Sequence, residues 1–231
     1  MCPPSSERPS SLTPPGDATG ASRPGRTLAA VAPVIGFDLD LTLIDTRPGV
    51  AAVLEVLGEE LGVDLPVADL VHQLGPPLDV MLAPHLPADA VGPAGDRFRE
   101  LYPSLAIKTV PLLPGARDAV AAVKEVGGRV LVVTGKYPAN AQRHVDHLGL
   151  AIDHLEGWVW GTGKADVLRR EGALAYVGDH VHDVEGALAA GVTSVSVPTG
   201  GSSRADLEAA GTHVVLDSLL EFPSWLAGVV A

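Results

Sequence analysis

Hydrophobic residues fall along this chain in two rhythms. The first is a set of short, unbroken apolar runs: Val34-Ile35-Gly36-Phe37, then RVLVVT at 129–134, LAYVG at 174–178 and TSVSV at 193–197. Runs of this length, bounded by glycine, proline or charged residues, predict strands buried on both faces. The second rhythm is helical spacing, which predicts helices starting near Arg117, Pro138, Lys164 and Val184. Strand and helix taking turns predicts an α/β fold with a doubly wound parallel sheet, a Rossmann-like core covered on both faces.

A helical region interrupts that alternation just after the first strand. Val53, Leu54, Leu57 and Leu61, and later Leu78, Met81 and Leu82, recur at helical spacing, while Gly75-Pro76-Pro77 and Pro87 break the region into short helices. The expected division is a core over 28–47 and 111–231, a helical cap domain inserted at 48–110, and hinges near 46–49 and 111–114. Residues 1–27 are dominated by Pro, Ser, Gly and Arg, and are read as a disordered N-terminal tail that catalysis does not need.

Composition narrows the function. With 231 residues, 46% of them hydrophobic, the chain can bury one full core and a smaller second one. A formal net charge of −12 and no basic run argue against a nucleic-acid partner. The single cysteine, Cys2, excludes an internal disulfide and fits a reducing compartment. No apolar stretch has the length of a membrane span and no secretory leader pattern is read, so the expectation is a cytoplasmic protein with no membrane partner, a monomer or a homodimer.

Chemistry-bearing residues gather where strands are predicted to end. Asp38-Leu39-Asp40-Leu41-Thr42 follows the first strand, and Thr134-Gly135 closes the second apolar run. Lys164 follows Gly161-Thr162-Gly163 at a helix start, and Gly178-Asp179-His180-Val181-His182-Asp183 follows a third strand. All of them fall on the C-terminal edge of the sheet, where open α/β folds bind ligands. Taken singly each has a plain structural reading: turn residues for Asp38 and Asp40, a cap for Thr134 or Asp183, a solvated cation for Lys164. Carboxylates this close in an apolar setting need a cation or a shared proton. His180 and His182 raise a transition metal as an alternative, and His144 and His147, at helical spacing, are read as surface residues.

In this order the motifs resemble the haloacid dehalogenase-like hydrolase superfamily, in its phosphoglycolate phosphatase-like branch with a small helical cap. The likeness runs from about residue 34 to 220, with Leu41 standing where many members have glycine and Gly163 where proline is common. The resemblance implies that Asp38 is the nucleophile forming an aspartyl-phosphate, and that Asp40 protonates the departing oxygen and then activates water. It implies that Thr134, Gly135 and Lys164 hold the phosphoryl group. The metal would be Mg²⁺, held by Asp38, the Asp40 carbonyl, Asp179 and Asp183, whose hard oxygens suit that ion.

The implied partner is a small phosphorylated metabolite, with 2-phosphoglycolate the leading candidate. Other readings on the same core are a sugar phosphomutase, a nucleotidase or pyrophosphatase, and a non-catalytic binding protein that retains the fold. Asp40 speaks against a dehalogenase, which has no leaving alkoxide to protonate. Residues His72, Gln73, Arg97, Arg99 and Lys108 are the candidates for reaching the leaving group from the cap.

Overall fold

The computed structural model describes residues 32–231, so the expected tail lies outside the described residues. Six parallel strands form the sheet: β1 (Val34–Phe37), β2 (Arg129–Val133), β3 (His154–Glu156), β4 (Ala175–Gly178), β5 (Thr193–Ser196) and β6 (Val214–Val215). Their order is β3-β2-β1-β4-β5-β6, so the chain winds outward from β1 and then restarts on its other side at β4. A crevice opens where the winding reverses, outside the carboxyl ends of β1 and β4. Phe37 pairs in register with Val132 of β2 and Val177 of β4, which brings the ends of all three strands to one level.

Alternating side chains divide the core into two layers. Ile35 and Phe37 pack with α5 (Ala116–Glu125), α6 (Pro138–Leu148) and α10 (Phe222–Val230). Val34, Leu131 and Tyr176 face α7 (Lys164–Glu171) and α8 (Val181–Ala190). Gly36 belongs to that second layer for a steric reason: a Cβ there would come within 2.8 Å of the Tyr176 ring. The space goes to a buried phenol that reaches the active edge.

Between β1 and α5 stand α1 (Arg47–Leu61), α2 (Val67–His72), α3 (Leu78–Leu82) and α4 (Ala88–Leu105). They enclose a second apolar cluster built on Val53, Leu54, Leu57, Leu82 and Phe98. Pro87 caps α4, yet Pro93 and Pro103 lie inside it without ending it, which the sequence pattern did not anticipate. Packing along α1 carries the helix past the hydrogen bonds those prolines remove. Two short segments join this insert to the core side by side: Asp45 N–H donates to Pro111 O at 2.9 Å, and Leu113 N–H to Leu43 O at 3.0 Å.

β3, β6 and the helix α9 (Arg204–Ala209) have no counterpart in the sequence reading. β3 and β6 span three and two residues, too short to show a period, and their pairing with β2 and β5 defines them.

Candidate active site

Asp38 N–H donates to Val177 O at 2.8 Å, extending the ladder one residue past β1 and fixing where the Asp38 carboxylate starts. Asp179 follows β4 directly, and Asp183 lies on the first turn of α8. One ligating oxygen from each of these three residues lies within 4.8 Å of the others. Glycines make room for the cluster. A Cβ at Gly178 would sit 2.4 Å from the Asp183 carboxylate, and one at Gly200 only 1.8 Å from Asp179 Oδ2.

Lys164 enters this cluster from the start of α7, with a side chain 3% exposed. Its Nζ donates to Asp183 Oδ1 at 2.6 Å and to the Tyr176 hydroxyl at 2.8 Å, and stands 3.1 Å from Asp38 Oδ1. Tyr176 O–H in turn donates to Val133 O at 2.6 Å. Thr42 O–H donates to Asp179 Oδ1 at 2.7 Å. Asp38 Oδ1 is buried with no well-aligned hydrogen bond, despite the nearby ammonium.

The electrostatics follow from burial. Desolvation pushes Asp38 up to about 7, with Lys164 pulling it down and Asp183 and Asp40 pushing it further up. Asp179 is raised well above the carboxylate range, first by burial, then by Asp183 and Asp38. Burial works to lower Lys164, but Asp183 and Asp38 outweigh it and the ammonium is held more firmly. One lysine therefore does not balance three carboxylates. A divalent cation bound by oxygen fits the cluster, where Asp38 Oδ1 lacks a well-aligned hydrogen bond.

A second group surrounds Asp40. Lys136 Nζ pairs with Asp40 Oδ1 at 2.9 Å and lies 4.4 Å from the centre of the Tyr102 ring, a contact from core to cap. Lys136 N–H donates to Thr134 Oγ1 at 3.2 Å, so the loop after β2 sets both residues. The sequence reading passed over Lys136, since an isolated loop lysine reads as a solvated cation. The signal was its place two residues after Thr134, on the edge where the acids gather.

Asp38, Asp40, Thr134, Gly135, Lys164, Asp179 and Asp183 all line one cavity of about 450 Å³, closed on the cap side by Gly75, Pro76 and Pro77 among others. Of the five cap candidates only Arg99 lines it; Arg97 is paired instead with Glu60 at 2.7 Å. His180 and His182 line the cavity but do not join the carboxylate cluster. His180 lies in a capping box at the start of α8, accepting from His182 N–H, while Asp183 Oδ2 accepts from His180 N–H. The plain reading of Asp183 as a helix-start residue thus holds alongside its place in the acidic cluster.

His144 corrects the sequence reading: it is fully buried, its Nε2 3.1 Å from the Tyr102 hydroxyl, whereas His147 is exposed as expected. Helical spacing placed the pair on one helix but could not show that α4 covers one of them. Leu41, where many members of the resembling family carry glycine, has φ 57°, a left-handed conformation costing an L-residue about 1 kcal/mol.

A family model described as haloacid dehalogenase-like hydrolase matches residues 35–187. The chain belongs to that family, and it is an enzyme carrying the catalytic aspartates of a phosphoric monoester hydrolase. Among curated relatives, it is 30% identical to a tyrosine-protein kinase PtkA from Mycobacterium tuberculosis over 84% of this chain and 70% of that one. It is 30% identical to a phosphoglycolate phosphatase from Caulobacter vibrioides, over 82% and 88%. It is 29% identical to a 5′-nucleotidase from Pseudomonas aeruginosa, over 80% and 91%. A solved haloacid dehalogenase-like hydrolase from Streptococcus pneumoniae superposes with TM-score 0.76 at 24% identity, covering 84% of this chain and 98% of that one, and shares the fold.

Proposed function

We propose that this protein is a Mg²⁺-dependent phosphatase that hydrolyses a small phosphomonoester through an aspartyl-phosphate on Asp38. The observation carrying this reading is the Asp38 carboxylate at the strand end, one oxygen without a well-aligned hydrogen bond, beside Asp179, Asp183 and Lys164. Asp38, Asp179 and Asp183 would hold the cation, and three carboxylates without thiolate or imidazole favour Mg²⁺. When bound, the ion offsets negative charge on the phosphoryl oxygens and lets Asp38 approach phosphorus ionised.

Asp38 attacks phosphorus, and the bond to the ester oxygen breaks as Asp40 gives that oxygen its proton. Water then attacks the phosphorus of the acyl phosphate, passing its proton back to Asp40 and releasing phosphate and free Asp38. Lys136 holds Oδ1 of Asp40 and so orients Oδ2 for both transfers. Lys164, Thr134 and the backbone at Gly135 steady the phosphoryl oxygens as charge collects on them. The phosphoglycolate phosphatase and 5′-nucleotidase among the relatives support ester hydrolysis and leave two kinds of leaving group to compare.

The test is release of inorganic phosphate from 2-phosphoglycolate, a sugar phosphate and a nucleotide in the presence of Mg²⁺. Hydrolysis is expected for the wild type and none above background for Asp38→Asn, a near-isosteric change. Turnover by that variant at the wild-type rate would overturn the assignment.

A further inference from the structure

The cavity above Asp38 has few groups suited to a second anion. 2-Phosphoglycolate would bring a carboxylate besides its phosphate, and that charge needs a cation. Lys164 is engaged with Asp38 and Asp183, Lys136 with Asp40, and Arg99 with Asp79 at 3.2 Å and Asp96 at 2.9 Å. The remaining lining is rich in apolar side chains, including Leu54, Leu74 and Phe98.

The mouth of the cavity carries exposed aromatic rings. The chain has three tryptophans. Trp225 packs against the core, while Trp158 and Trp160 line the cavity and are 62% and 39% exposed. Both are held in place. Trp158 N–H donates to Lys136 O at 2.9 Å, and its ring lies 5.0 Å from that of Tyr137. Trp160 donates its indole N–H to Gly75 O of the cap at 3.0 Å, and its ring lies 4.2 Å from that of His182.

Trp158 has φ 59°, a left-handed conformation that a bulky residue adopts only where the surroundings impose it. The preceding Gly157 allows this approach, since a Cβ there would lie 2.6 Å from Lys136 O. The ring packs on Tyr137 and lies 6.0 Å from the Arg99 guanidinium, itself paired with Asp79 and Asp96, yet the residue stays largely exposed at the cavity. It presents a flat apolar surface to a ligand.

We propose that the leaving group of the substrate is a nucleoside, with its base stacked on Trp158 and Trp160 at the mouth and its 5′-phosphate on Asp38. The inference rests on the phosphatase reading and names the substrate class for that site. A base offers a neutral π-face, which suits aromatic walls with no spare cation. An aryl phosphate shares the ring chemistry, but its ring is bonded directly to the ester oxygen beside Asp40. A nucleoside sets its base apart from that oxygen by the ribose, so the two esters distinguish a ring at the reacting atom from one farther along the cavity lining.

The experiment compares 5′-AMP, 5′-UMP, phenyl phosphate and 2-phosphoglycolate by kcat/KM in Mg²⁺. The nucleotides are expected to lead 2-phosphoglycolate by about tenfold or more, the size of one base-stacking contact. Trp158→Ala and Trp160→Ala are expected to cut the ratio of 5′-AMP to 2-phosphoglycolate about tenfold, mainly through KM, with Trp158→Phe restoring most of it. Independently of turnover, 5′-AMP should quench tryptophan fluorescence in Asp38→Asn, and Trp158→Ala in that background should weaken the titration. Preference for 2-phosphoglycolate with a ratio unmoved by either tryptophan change would overturn the proposal and leave the phosphatase reading intact. Phenyl phosphate ahead of both nucleotides would overturn the nucleoside assignment. No phosphate release from any ester, with 5′-AMP still quenching, would overturn the phosphatase reading while supporting the ring site.

Discussion

At the scale of single residues, Lys136 shows what the sequence conceals. Asp38, Asp40, Lys164, Asp179 and Asp183 could be found because acids and a cation at strand ends or helix starts are placed by the backbone pattern alone. Lys136 gains its role only from the fold, which puts its Nζ 2.9 Å from Asp40 across nearly a hundred residues of chain. Leu41 is the converse: it stands out in sequence as a missing glycine, and φ 57° supplies the reason. If Lys136 orients the proton-transfer group, Lys136→Met, which keeps the stem and removes the charge, should lower kcat about tenfold or more with a smaller effect on KM. Far-UV circular dichroism should match the wild type. A fully active Lys136→Met protein would show that the ion pair is only structural.

At the scale of elements, the cap helices and the four core helices α5 to α8 were legible from their spacing, and the way they lean on one another was not. α4 of the cap sends Tyr102 down onto α6 of the core, where its hydroxyl meets His144 and its ring meets Lys136. The apolar pattern of α4 marks Tyr102 as a core residue of the cap cluster, but no single-chain periodicity says that a second layer lies beneath it. Burial, then Lys136, lowers His144 to about 4, so the imidazole is neutral at ordinary pH. Because the folded pKa lies below that of the unfolded chain, the stability tied to this site is present above pH 6.5 and lost as pH falls toward 4. Tyr102→Phe removes the hydroxyl and leaves Nε2 buried without its partner. The expected cost is ~1–3 kcal/mol in urea unfolding at pH 7.5. A midpoint equal to that of the wild type would mean that the cap does not rely on this contact.

At the scale of the whole molecule, the alternation of strands and helices and the inserted cap were readable because buried parallel strands must be continuous apolar runs. What the pattern could not show was the depth of the charge cluster at the sheet edge. Burial and mutual repulsion raise Asp179, and Asp38 is pushed from 3.8 to about 7. The sign of the consequence is set by proton binding. Between pH 3.8 and about 7 the folded metal-free chain holds more protons than the unfolded one at Asp38, so raising the pH through that window removes stability. His144 acts in the opposite sense below pH 6.5, so the comparison that isolates the cluster is with Asp38→Asn, which keeps His144 and lacks the titrating carboxylate. In chelator, the wild type should lose several degrees of Tm relative to Asp38→Asn between pH 5 and pH 8. Mg²⁺ should restore more of it at pH 8 than at pH 5, since a cation that binds the ionised cluster stabilises the fold most where the protons have left. Equal pH slopes for the two proteins in chelator, or a Mg²⁺ shift independent of pH, would show that the three carboxylates are compensated within the fold without a metal.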